Sequence, residues 1–105
     1  MAVIVRTEAE VAAAWTALDE LYAQMPENPR VAGARAAAEW TTGRIATSPI
    51  TNAREPAVEP RVGWEGHEAN MVVMGIKQGD RTYAAGVMAW MFWWTGVEPL
   101  PRWLR

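Results

Sequence analysis

Apolar side chains recur at intervals of three and four through the first part of the chain: Val11, Trp15, Leu18, Leu21, Tyr22 and Met25. That spacing draws one stripe along an α-helix, with Glu8, Asp19 and Glu20 falling mostly away from it. Thr7 and Glu10 match the S/T-x-x-E capping box, in which each side chain accepts a hydrogen bond from the other's backbone N–H. Pro26 stops the run, so the pattern predicts a helix over 7–25. Asn28 then suits an N-cap and Pro29 the first helical position. A second helix is predicted over 29–43, Ala-rich around Gly33 and ended by Gly43. The short turn between them makes an antiparallel helical hairpin.

The period then disappears. Residues 45–66, "IATSPITNAREPAVEPRVGWEG", carry Pro49, Pro56 and Pro60 and no sustained repeat. Segments of this length inside a small domain are functional or disordered. Ile50, Val58, Val62 and Trp64 are too apolar for a free linker, so the segment is expected to wrap the core with Val58, Val62 and Trp64 as anchors. A third element is expected over 67–78. Its centre, "ANMVVMGI", is apolar on every side, which fits a helix or a buried strand. Gly79–Asp80 reads as a helix stop followed by an N-cap, or as the turn of a strand hairpin at 70–90. The helical reading is preferred because 81–96 has helical length and ends at Gly96, with Pro99 and Pro101 beyond. The expected fold is all-α: a single domain of about four helices in two hairpins, joined by a long irregular segment. The alternative is α+β with a hairpin at 70–90.

One internal echo supports two hairpins. "AGARAAAEWTTG" (Ala32–Gly43) and "AGVMAWMFWWTG" (Ala85–Gly96) share A-G, a later W and T-G at the same offsets. Ala-rich sequence produces such matches by chance, so the echo is a hint of duplication and no more.

The last helix is apolar nearly all round. Tyr83, Gly86, Val87, Trp90, Trp93 and Trp94 share one face, while Met88, Met91 and Phe92 point largely the other way. A helix of this kind lies inside a core or crosses a membrane. The apolar run between Arg81 and Glu98 is shorter than the roughly twenty residues of a span, so no membrane crossing is expected. Seven Trp and six Met in 105 residues exceed what a core this small encloses with ease. Burying each large side chain is worth about 2 kcal/mol or more, and an exposed patch of them is poorly tolerated. The expectation is therefore a homo-oligomer, or an obligate partner, docked on Met88, Trp90, Met91, Phe92, Trp93 and Trp94.

Charge narrows the partners. The net charge of -2 at pH 7 argues against general duplex-DNA binding, which needs a basic face. Nine of the ten basic residues are Arg, and Arg forks grip carboxylates and phosphates and stack on rings. GC-rich codon usage raises Arg, Ala, Gly and Trp together and accounts for most of that bias. Arg54, Arg61 and Arg81 lie in or beside the irregular segment near Trp64, a set that would suit a small phosphate-bearing ligand such as a nucleotide. Ordinary ion pairing explains the same residues.

Catalytic chemistry is thinly provided. His67 is the only histidine and no cysteine is present, which excludes disulfides, thiol catalysis and zinc–thiolate sites. Asp19 with Glu20, and Glu65 with Glu68, read as solvated or capping carboxylates. No P-loop, dinucleotide fingerprint or nucleophile elbow occurs. No enzymatic activity and no cofactor is expected. The opening "MAVIVRTEAE" is too short in apolar length for a signal peptide, so a cytoplasmic location is expected.

The C-terminal stretch "GDRTYAAGVMAWMFWWTGVEPLP" resembles small accessory proteins of actinobacteria and their phages, in which an aromatic and small-residue helix precedes a Gly and a Pro-rich end. The likeness covers about a quarter of the chain. It implies a protein that works by binding, as an inhibitor of a host enzyme, an anti-defence factor or a virion or scaffold component. It carries over no site residues.

Overall fold

The computed structural model describes residues 6–104. Four helices follow one another: α1 (Glu8–Gln24), α2 (Pro29–Thr41), α3 (Arg61–Val73) and α4 (Arg81–Trp94), with a 3-10 turn at Arg102–Leu104. No strand occurs among the described residues. The fold is an all-α bundle, and the strand-hairpin alternative at 70–90 is not needed.

Three helices begin where their caps dictate. Thr7 and Glu10 form the reciprocal capping box of α1. Asn28 Oδ1 accepts from the Arg30 and Val31 amides at the start of α2. Asp80 Oδ1 accepts from the Thr82 and Tyr83 amides at the start of α4. Gly79–Asp80 is therefore a helix approach and not a strand turn.

The third element departs from expectation. α3 starts at Arg61, six residues before the predicted 67, and ends at Val73, not at 78. The irregular segment is correspondingly shorter, running from the end of α2 to Pro60. Gly63 and Gly66 lie inside the helix, and Gly66 sits against the Phe92 ring, where a Cβ would lie 3.4 Å away. The stop is Gly75, whose φ of 78° is left-handed and readily adopted only by glycine. Ile76 to Gln78 thus belong to the turn before α4, tied back by an ion pair from Lys77 to Glu68.

α4 is the centre. It packs on α2 along one side and on α3 along the other, while α1 packs on α2 and also meets the C-terminal turn. The α2–α4 crossing is a backbone contact. A Cβ on Gly33 would fall 2.0 Å from the Tyr83 carbonyl oxygen, and one on Gly86 would fall 1.9 Å from the Arg30 carbonyl oxygen. Each glycine thus meets the carbonyl three residues before the other.

The internal echo is kept bond for bond at the helix ends. Gly43 and Gly96 share φ 79°. The Thr42 and Thr95 hydroxyls donate to the carbonyls of Ala38 and Met91, and the amides of Arg44 and Val97 reach back to Glu39 and Phe92. Both ends are Schellman caps, which satisfy the last carbonyls with the amides beyond the turn.

These contacts dispose of most of the tryptophan surplus. Trp40, Trp90, Met91 and Trp93 are buried within the chain. The two most enclosed indoles have polar partners: Trp40 Nε1 donates to the Glu55 carbonyl at 3.0 Å and Trp90 Nε1 to Thr41 Oγ1 at 2.9 Å. Trp90 also lies tilted against Trp93 and stacked with Trp94. No helix among the described residues is long and apolar enough to cross a membrane.

Candidate functional site

The segment between α2 and α3 wraps the core, but its anchors are not all the expected ones. Ile50 and Ala57 pack on the core and Val62 is buried within α3. Val58 and Trp64 instead face solvent, 52% and 50% exposed. The principal anchor is polar. Glu65, fully enclosed, accepts from the Ile50 and Thr51 amides and from the Thr51 hydroxyl, the last at 2.7 Å. Ser48, also buried, closes the same loop by accepting from the Ala53 amide. Charge-assisted bonds of this kind are about twice as strong as neutral ones, and they spare Glu65 the cost of burial. Glu65 is thus a buried clamp, not the solvated carboxylate expected from the sequence.

Held this way, residues 55–60 and the first turns of α3 enclose an open groove of about 790 Å³. Pro56, Val58, Pro60 and Trp64 give it an apolar wall. Arg61 pairs with Glu55 at 2.7 Å along the rim, while Glu59 and His67 supply its other ionisable groups. The His67 ring lies 5.6 Å from that of Trp64, tilted by 41°. His67 is exposed, and neighbouring Glu68 is buried and paired with Lys77, so the two do not act together. No group of three His, Asp or Glu residues among those described is placed to hold a metal ion.

The four residues expected to hold a small anionic ligand do not converge. Arg61 and Trp64 share the groove, but Arg61 is already committed to Glu55. Arg54 lines a neighbouring cleft with Trp40 and Ile45. Arg81 opens α4, its guanidinium over Gly75. The six residues expected to form an oligomer face divide in the same way. Trp90, Met91 and Trp93 are core residues whose surface is consumed within the chain. Met88, Phe92 and Trp94 are half-buried. The large apolar side chains most open to solvent lie elsewhere: Val58, Trp64, Met74, Ile76, Val97 and Met25.

A second pocket, of about 540 Å³, was not foreseen. It lies where the first half of α1, the end of α2 and the end of α4 meet, and it brings Trp15, Thr42, Arg44 and Trp94 together. Arg44 stands 4.0 Å from the centre of the Trp15 ring and donates to Thr42 Oγ1 at 2.7 Å. Its constituents come from three separate parts of the chain and share no motif or period.

Comparison with known proteins returns no matching family model, no matching curated protein and no matching solved structure.

Proposed function

We propose that the chain is a non-enzymatic binding protein whose working surface is the groove beside Trp64. The observation that carries this reading is the pairing of an exposed indole with a clamped frame. Val58 and Trp64 leave about half their surface to solvent. The backbone beneath them is fixed by Glu65, Trp40 and the Arg61–Glu55 pair. A preorganised apolar wall with a tryptophan at its centre is the usual make-up of an interface hot spot. Glu59, without an ion-pair partner among the described residues, adds negative charge. The partner is an apolar peptide segment that carries a basic side chain. Self-association over the same groove is the homotypic form of this reading and replaces the α4 face as its basis. An accessory role in a phage or its host, as inhibitor or anti-defence factor, fits a protein that acts only by docking.

A photo-crosslinking residue at position 64, compared with one at Glu20 on the outer face of α1, tests the groove. A single adduct from position 64, absent from position 20 and suppressed by Val58→Glu, is the expected result. Equal labelling from both positions, or none from either, rejects it. Native mass spectrometry of the adduct separates a second copy of the chain from another protein.

A further inference from the structure

The unforeseen pocket between α1, α2 and α4 is a different kind of site from the Trp64 groove. Its decisive residue is Arg44. Arg6, Arg35 and Arg61 each have a carboxylate partner. Arg44 has no ion pair among the described residues. Of the arginines in that condition, Arg44 alone stacks on an aromatic ring. The Thr42 hydroxyl takes one of its five N–H donors and fixes the plane of the guanidinium. Thr42 is itself held, since its hydroxyl donates to the Ala38 carbonyl at 2.6 Å within the Schellman cap of α2. A cation is thus oriented by two successive hydrogen bonds and a ring contact, with most of its donors unspent.

The rest of the pocket completes a recognition pattern. Trp94, half-buried, presents an indole on the α4 side. Arg6 lines the pocket but is occupied: its Nε donates to the Trp93 carbonyl at 2.7 Å and its terminal nitrogen to the Glu98 carbonyl at 3.0 Å. Its role is to fix the end of α4, and with it Trp94. Glu8 also lines the pocket and adds a negative charge there. A pocket of this volume suits a small organic molecule.

We propose that this pocket binds a planar aromatic anion of the nucleoside monophosphate class. The phosphate takes the free fork of Arg44, which matches its geometry. The base lies against the Trp94 indole, where stacking tolerates any base identity. Glu8 disfavours ligands with further negative charge, so a monophosphate is preferred over a triphosphate. The inference does not depend on the Trp64 groove and stands or falls separately from it.

The test is a titration of the full-length protein with adenosine monophosphate, followed by NMR of the tryptophan indole N–H resonances. Saturable shifts at Trp15 and Trp94, with Trp64 unmoved, are expected. Adenosine and inorganic phosphate should each bind at least about tenfold more weakly, since each lacks one half of the contact. Arg44→Gln should weaken binding by roughly tenfold or more, and Arg54→Gln, in a separate cleft, should leave it unchanged. The proposal is overturned by an absence of saturable shifts in the unaltered protein. It is equally overturned if adenosine or phosphate alone matches the nucleotide, or if Arg54→Gln is as damaging as Arg44→Gln. The titration of the unaltered protein needs no variant to fold.

Discussion

The two sides of α4 solve the same packing problem by opposite means. Toward α2 the helices touch backbone to backbone, with Gly33 and Gly86 each pressed on a carbonyl of the other helix. Toward α3 the contact is made by side chains, with Met91 and the Phe92 ring lying over Gly66 at ordinary van der Waals distance. The first side cannot yield, because a carbonyl in a helix is not free to move. The second can yield, because the Phe92 ring, the nearest group, adjusts by rotation. Tolerance to an added methyl is therefore least at the α2–α4 crossing and greater at the α3–α4 one.

The largest effect expected from this contrast is at the glycine pair. Gly33→Ala or Gly86→Ala places a methyl about 2 Å from a carbonyl oxygen. Either change should cost about 3 kcal/mol or more, at the upper end of overpacking effects. Denaturant unfolding measures it; a loss below 1 kcal/mol from both variants would mean that the crossing gives way and the contrast is false.

A smaller effect is expected from pH at the same crossing. Burial pushes the Tyr83 phenol above its ordinary value of 10.0, with the Glu39 and Glu65 carboxylates adding to the shift. The folded chain then keeps a proton that the unfolded chain releases. Stability from this group is intact below pH 10 and is lost as pH rises beyond it. Tyr83→Phe should flatten the alkaline fall in unfolding free energy while leaving neutral stability little changed. An identical alkaline slope in the variant would remove Tyr83 from the account.

The smallest effect belongs to the yielding side. Gly66→Ala adds a methyl 3.4 Å from the Phe92 ring, at the near edge of ordinary van der Waals contact, which a small rotation of the ring meets. Alanine in a helix interior is favoured over glycine by about 1 kcal/mol. The two nearly cancel, and the net change should lie within about 0.5 kcal/mol by denaturant unfolding. A cost comparable to that of Gly33→Ala would erase the distinction between the faces.

How much of this was legible beforehand follows from the range of the interactions. Thr7 with Glu10, Asn28 with Pro29, and Asp80 act within one helical turn, and sequence reasoning located α1, α2 and the start of α4 from them. Pro49, Pro56 and Pro60 leave no sustained period over 45–66, so the pattern places residues 61–66 outside any helix. Only the neighbouring Phe92 explains why Gly66 is tolerated in a helix. The surplus of tryptophan was visible, but its destination was not. Whether an indole turns inward depends on the helix beside it, which is why Trp90 and Trp93 proved to be core and Trp64 did not. Glu65 gave no local sign of being enclosed, since its partners lie fourteen and fifteen residues earlier. The Arg44 pocket was the least legible feature, because position 44 meets positions 15 and 94 only after the bundle has closed.

The reciprocal glycine contact also bears on inheritance. Most outward side chains are free to drift. A residue lacking a Cβ at both crossing points is a demand that drift cannot relax. Each of these glycines stands ten positions ahead of the glycine that ends its helix, Gly43 in one case and Gly96 in the other. Descendants of the same ancestral chain should still bear that doubled interval after every other likeness has worn away.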